Sequence, residues 1–214
     1  MNLNDCYRFE DFRKLAKKKL PAPIFHYIDG GADDEVTLNR HTSSFDDYDL
    51  VPSFLNDVSN IDMSTTVLGE KIDFPLFPAA TAMHRLYHHQ GERASAKAAE
   101  KMGTIFGTST MGTVRIEEIA KVNKGPKLFQ LYIHKDRGLT DNLLERCKKS
   151  GFSSMCLTVD TVVAGNRERD KRTGFTTPPK LTLESLLSFA LHPGWTINNL
   201  IHEKFKLANN IHMT

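Results

Sequence analysis

The sequence predicts an α/β fold: the N-terminal half of a parallel (β/α) barrel, preceded by a helical segment. Three observations carry that expectation. From Phe74 onward, short apolar runs alternate with amphipathic stretches at roughly 25-residue spacing, the pattern of parallel strands joined by helices. Polar residues gather where those runs end, Gln130 and Tyr132 on one and Thr158 and Asp160 on the next. In such folds the carboxyl ends of the strands are where chemistry is done. No G-x-G-x-x-G follows the first run, so a dinucleotide-binding doubly wound sheet loses its main support and the barrel is favoured.

The elements follow in order. Phe9, Phe12, Leu15, Ala16 and Leu20 recur at helical spacing, and Pro21 and Pro23 are expected to end that helix. Lys17, Lys18 and Lys19 read as its solvated side. A short apolar piece with Ile24, Phe25, Tyr27 and Ile28 leads to Gly30 and Gly31, and a second helix is expected over 35–45. Residues 67–72 predict a hairpin turning at Gly69. Strand one is expected over 76–80, and Ala94, Ala98, Ala99 and Met102 mark its helix. Strand two covers 105–109, followed by a short helix over 116–122. Strand three covers 128–133. Leu139, Leu143, Leu144 and Cys147 make the next helix, which Gly151 closes. Strand four covers 154–159, with a polar loop behind it carrying Arg167, Glu168, Arg169 and Asp170. Pro178 and Pro179 mark a linker. Leu183, Leu186, Leu187, Ala190 and Leu191 then form a compact amphipathic helix before His192-Pro193-Gly194-Trp195.

Composition narrows the class. With 40% hydrophobic and 25% charged residues the chain is ordinary for a globular protein, and a net charge of +2 gives no nucleic-acid signal. Cys6, Cys147 and Cys156 are odd in number and lack metal-ligand spacing. Two of them fall in expected core elements, which suits reduced thiols and the cytoplasm. The start, MNLNDCYRFEDF, lacks the pattern of a signal peptide, and no apolar run reaches the roughly 18 residues of a membrane span. An eight-stranded barrel takes about 250 residues, whereas four strands are legible here. The chain is therefore expected to be the N-terminal part of a longer protein. It divides into a helical segment and hairpin over 1–73, four βα units over 74–175, and a loop with an amphipathic helix over 176–214.

Six ordered motifs now carry a resemblance. FHYIDGGADDE at 25–35, ATAM at 80–83, GTST at 107–110, FQLYIHKDR at 129–137, LTVDT at 157–161 and GNRERDKRTGF at 165–175 resemble the FMN-dependent α-hydroxy acid dehydrogenase family. That family includes L-lactate dehydrogenases, glycolate oxidases and mandelate dehydrogenases. LHPGW, with KLANN further on, resembles its membrane-associated bacterial branch.

The resemblance implies the N-terminal half of a TIM (β/α)8 barrel and a flavin site. The main chain at Ala80, Thr81 and Ala82 would lie beside the flavin, and Ser109, Gln130 and Thr158 would bond its polar edge. Neutral hydroxyls and amides suit a ring that presents both donors and acceptors. Tyr27 and Arg167 would hold the substrate carboxylate, arginine offering a planar two-point fork. Tyr132 would face the substrate hydroxyl. Asp160 would orient a catalytic histidine and stabilise its charged form, as a carboxylate does in a triad.

Each residue taken alone has a plainer reading. Ser109, Thr158 and Gln130 are then strand-end groups bonded to backbone, Tyr27 a core residue with a wet hydroxyl, Arg167 a solvated loop charge, and Asp160 a turn cap. The motifs reverse those odds, except at Arg169, which stays a solvated charge. His84, His88 and His89 lack accompanying ligand spacing, so no metal site is expected. Met111 stands where some members carry a bulky aromatic, so substrate size does not carry over. The family's catalytic base belongs to a His-Gly-Gly motif; the only double glycine here follows Asp29, and no base is assigned.

The resulting expectation is oxidation of an L-2-hydroxy acid, L-lactate first, to the 2-oxo acid by the full-length protein. FMN is the expected cofactor and a membrane quinone or a cytochrome the electron acceptor. The protein is expected to be a homo-oligomer with peripheral contact to the cytoplasmic face of the inner membrane. The 214-residue chain alone is expected to be inactive. The alternatives are a hydroxy-acid oxidase that returns electrons to oxygen, and a non-catalytic remnant or binding module.

Overall fold

The computed structural model describes residues 2–175 and 180–209, so the expected linker at Pro178 and Pro179 lies outside the described residues. The elements are α1 (Phe9–Lys19), α2 (Ala22–Asp29), α3 (Val36–Ser43), β1 (Thr65–Val67), β2 (Glu70–Ile72), α4 (Glu92–Lys101) and β3 (Phe106–Ser109). They continue with α5 (Ile116–Val122), β4 (Lys127–Leu131), α6 (Arg137–Lys149), β5 (Ser154–Leu157), α7 (Glu168–Thr173), α8 (Leu183–Leu191) and α9 (Pro193–Ile201). They form two compact units, 1–56 with 163–202 and 57–162 with 203–214, each built from two separate stretches of chain.

The first unit is helical. α1 buries Leu15 and is followed by buried Leu20, but Phe9 and Phe12 stay exposed. The apolar piece after Pro21 is in fact a helix, α2. Its proline sits in the first turn, where the missing N–H costs nothing and the fixed φ suits a helix. What reads as a stop signal is a start. The same physics lets Pro193 open α9, where the sequence reading named only the tetrapeptide His192-Pro193-Gly194-Trp195 after α8. The loop expected around Arg167 to Asp170 is also partly helical, as α7, which Gly174 ends in the left-handed conformation (φ +68°).

The second unit holds the sheet. β1 and β2 pair antiparallel about Leu68 and Gly69, both at positive φ, which matches the right-handed twist of a two-residue hairpin. β3, β4 and β5 pair in parallel in that order, with Ser109 opposite Gln130 and Gln130 opposite Cys156. One face carries the core. Phe129 and Leu131 of β4 pack with Leu139, Leu143 and Cys147 of α6 and Ile116 of α5. Phe106 of β3 packs with Ala96 and Ala99 of α4, Ile119 of α5 and Val114. Burial pushes the Cys147 thiol up to about 12. Cys156, expected in the core, is exposed instead, because β5 is the outer strand and Met155 and Leu157 beside it are also uncovered.

The strand expected over 76–80 is not one, so three parallel strands rather than four appear among the described residues. Pro78 removes a ladder donor from its middle, as proline does in any central strand. The segment still runs against β3: Thr104 Oγ1 donates to the Leu76 carbonyl at 2.8 Å. A Cβ on Gly107 would lie 2.9 Å from the Ala80 nitrogen and 3.2 Å from its Cα. Gly107→Ala must therefore push the 78–80 backbone off the sheet, at about 1–3 kcal/mol by analogy with overpacked cores. Chemical denaturation checks this; an unchanged midpoint would show that the two segments are not in contact.

Candidate active site

The register places three of the expected residues on one face. Parallel partners point the same way and side chains alternate along a strand. Ser109, its partner Gln130, and Thr158 two positions beyond Cys156 thus project from the face opposite Phe129 and Leu131. They join in a row. Ser109 Oγ donates to Gln130 Oε1 at 3.0 Å, and Gln130 Nε2 donates to Thr158 Oγ1 at 2.7 Å. The Thr110 backbone N–H also points at Gln130 Oε1, at 3.3 Å, which fixes the amide orientation, because a backbone N–H can only donate. The Met111 N–H donates to Ser109 Oγ at 3.1 Å. Thr110 Oγ1 donates to the Gln130 carbonyl at 2.7 Å and accepts from the Tyr132 N–H at 3.1 Å, extending the ladder by one side chain.

The loop holding Ala80, Thr81 and Ala82 is tied to the same end of the sheet. The Met83 N–H donates to the Met111 carbonyl at 3.2 Å. Thr81 Oγ1 is hydrogen-bonded to His84 Nε2. Glu92, the first residue of α4, is buried and accepts from the Thr113 N–H at 2.8 Å and from the Thr113 hydroxyl at 2.6 Å. It also accepts from the His84 N–H at 3.3 Å. Burial holds the His84 imidazole below its ordinary pKa, with Glu92 opposing. Tyr132 is half-buried. Asp160 is exposed, and among the described residues no hydrogen bond links it to the turn at Thr161, so the capping alternative finds no contact here.

Tyr27 and Arg167 meet within the first unit. The Arg167 guanidinium lies 5.2 Å from the Tyr27 ring centroid and donates to the Tyr27 carbonyl. Its Nε donates to Asp170 Oδ2 at 2.5 Å. The fork is thus used internally along its Nε–Nη2 edge, and among the described residues Nη1 is the nitrogen without a partner. Phe175 packs on Tyr27 with ring centroids 5.0 Å apart. Arg169, expected to be solvated, is instead paired with Glu35 and with Asp29 at 2.9 Å. Arg13 reaches the same Asp29 at 2.5 Å, and these two arginines, Arg13 foremost, hold its carboxyl below the usual range.

Sequence reasoning gave no role to Glu92, Thr110, Thr113 or Asp170, although Asp170 lies in the quoted 165–175 motif. Thr110 lies inside a quoted motif and was within reach. Nothing in local pattern distinguishes Glu92 from a surface glutamate in a first helical turn.

The chain matches the family described as FMN-dependent dehydrogenase over residues 16–213. It is 40% identical over 200 residues to an L-lactate dehydrogenase of Vibrio parahaemolyticus, covering 93% of this chain and 52% of that one. It is 43% identical over 175 residues to glycolate oxidase 1 of Zea mays, covering 82% and 47%. It is 44% identical over 184 residues to an L-lactate oxidase of Nostoc, covering 84% and 50%. The crystal structure of the monotopic membrane protein (S)-mandelate dehydrogenase superposes with a TM-score of 0.89 at 32% identity, covering 97% of this chain and 56% of that one. The chain spans about half the length of the curated relatives it matches.

Proposed function

The chain belongs to the FMN-dependent dehydrogenase family, and from that premise we propose that the protein containing it oxidises an L-2-hydroxy acid, L-lactate first, to the 2-oxo acid. The fold reading that accompanies it is the N-terminal half of a (β/α)8 barrel. The observation that carries the proposal is the Ser109–Gln130–Thr158 row. Gln130 Oε1 is occupied by donors, and one Nε2–H is used on Thr158. The second Nε2–H and the Thr158 hydroxyl hydrogen remain to donate outward. A face offering donors from an amide and a hydroxyl fits the carbonyl and ring-nitrogen edge of an isoalloxazine.

FMN, when bound, supplies the acceptor for the electron pair of the substrate's C2–H bond. The chain's residues do the rest. Ser109, Gln130 and Thr158 would hold the ring edge, and the main chain at Ala80, Thr81 and Ala82 would lie beside it. Tyr27 and Arg167 hold the substrate carboxylate, and Tyr132 faces the hydroxyl. Asp160 orients the histidine that takes the hydroxyl proton and stabilises it as imidazolium. No such base is assigned among these 214 residues, so the chain alone is inactive. A quinone or cytochrome would be the electron acceptor. In the described residues no helix is long and apolar enough to cross a membrane. The exposed Leu187 and Leu191 of α8 and Leu200 and Ile201 of α9 favour peripheral attachment, as does the likeness to a monotopic membrane protein. A homo-oligomer on the cytoplasmic face is the assembly proposed.

The test is to complete the chain with the C-terminal half of the Vibrio parahaemolyticus enzyme. The product should bind FMN and reduce an artificial dye with L-lactate, while residues 1–214 alone should reduce no dye. A folded, FMN-loaded product that turns over none of lactate, glycolate or mandelate would reject the reading. The likeness to the Nostoc oxidase favours a second reading, in which oxygen takes the electrons. Peroxide formed in air at the rate of dye reduction would establish it.

A further inference from the structure

His84 lies three residues beyond Thr81, and its ring is engaged at both nitrogens. Nε2 is hydrogen-bonded to Thr81 Oγ1, and Nδ1 lies 3.2 Å from Ser95 Oγ on α4. Its backbone N–H is held by buried Glu92, which Thr113 fixes in turn. Met83, between Thr81 and His84, sits at φ +56°, a left-handed conformation that a side-chain-bearing residue adopts only when its surroundings impose it. The loop is therefore in a conformation that needs bracing, and the imidazole is a rigid bridge from it to a helix.

We propose that His84 is a positioning residue, whose ring holds Thr81, and with it the main chain of 80–82, in the place from which that loop contacts the flavin. The inference rests on the flavin reading above and adds a residue which that reading does not use. The chemistry suits the task. A neutral imidazole carries one donor and one acceptor on opposite corners of a rigid plane, and a hydroxyl can answer either. Thr81 and Ser95 supply one hydroxyl each. Burial lowers the ring's pKa, so the neutral form prevails at pH 7.

The test uses the protein completed with the C-terminal half, with amide hydrogen exchange read at Thr81 and Ala82 and, as a reference in the sheet, at Thr110. FMN is titrated in parallel by flavin fluorescence. His84→Ala should raise exchange at Thr81 and Ala82 by about 5–10-fold, the factor expected from one lost hydrogen bond, and leave Thr110 unchanged. The Kd for FMN should rise by a similar factor. His84→Gln, which can still reach Thr81, should recover most of both losses. Unchanged exchange at 81–82 overturns the proposal. So does a rise shared equally by Thr110, which signals general destabilisation, or a faster loop with unchanged FMN affinity. If the completed wild-type protein takes up no FMN, the flavin reading fails. Exchange then decides on the brace alone, a local rise keeping it and no rise removing it.

Discussion

Asp160→Asn, in the enzyme completed with a C-terminal half, should slow reduction of the bound flavin by saturating lactate about 10–10³-fold. The analogous change in a serine-protease triad costs about 10⁴ in kcat. A smaller loss is expected here, because a flavin and arginines also stabilise developing charge. Asparagine keeps the shape and removes the negative charge that favours imidazolium. The structure sharpens the contrast with a merely local role. Asp160 is exposed and, among the described residues, makes no hydrogen bond to the turn. Its replacement should therefore cost almost no stability and leave FMN affinity unchanged. Neighbouring Thr158 is the residue anchored to the sheet, through its N–H to the Leu131 carbonyl at 3.0 Å. Stopped-flow flavin reduction checks the prediction. Equal rates in wild type and variant would leave Asp160 without a part in the chemistry.

Arg167→Met in the same enzyme should raise KM for lactate about 10–150-fold, with FMN affinity little changed. The residues by themselves suggest a two-point fork on the substrate carboxylate. The structure shows the side-on edge engaged, because Nε serves Asp170 and one hydrogen of Nη2 serves the Tyr27 carbonyl. Nη1 and the second hydrogen of Nη2 remain for the carboxylate, and each hydrogen bond between charged groups is worth about 1.5–3 kcal/mol. Loss of the guanidinium also strands Asp170, a buried carboxylate whose Oδ1 has no partner among the described residues. Thermal stability must therefore be read beside kinetics. Arg167→Lys keeps the charge and separates the two effects. If it restores KM but not the melting temperature, the arginine's electrostatic and structural roles are distinct. An unchanged KM in Arg167→Met would remove it from the substrate site.

Much of this protein is legible in its sequence because local periodicity is a property of neighbouring residues. The 3.6-residue recurrence of Leu139, Leu143 and Cys147 specifies α6, and the β-rich runs on either side specify β4 and β5. The ordered motifs were enough for the family. Proline was the weak point of that reading. It marks the first turn of a helix as readily as its end, so α2 was missed. It also empties a ladder position, so an apolar run over 76–80 did not become a strand.

Partners far along the chain could be decided only by the tertiary structure. Whether Ser109, Gln130 and Thr158 share a face depends on strand register, and a slip of one residue would turn Gln130 into the core. Arg169 looks like a loop charge until Asp29, 140 residues away, is brought against it. Glu92 looks like a surface glutamate until Thr113 closes over it. A buried charge or amide must find its donors wherever the fold presents them. The sequence by itself therefore determines which side chains are on offer and on which kind of element they stand. Long-range packing decides which of them meet, because the energy of each polar contact depends on a partner that no local pattern encodes.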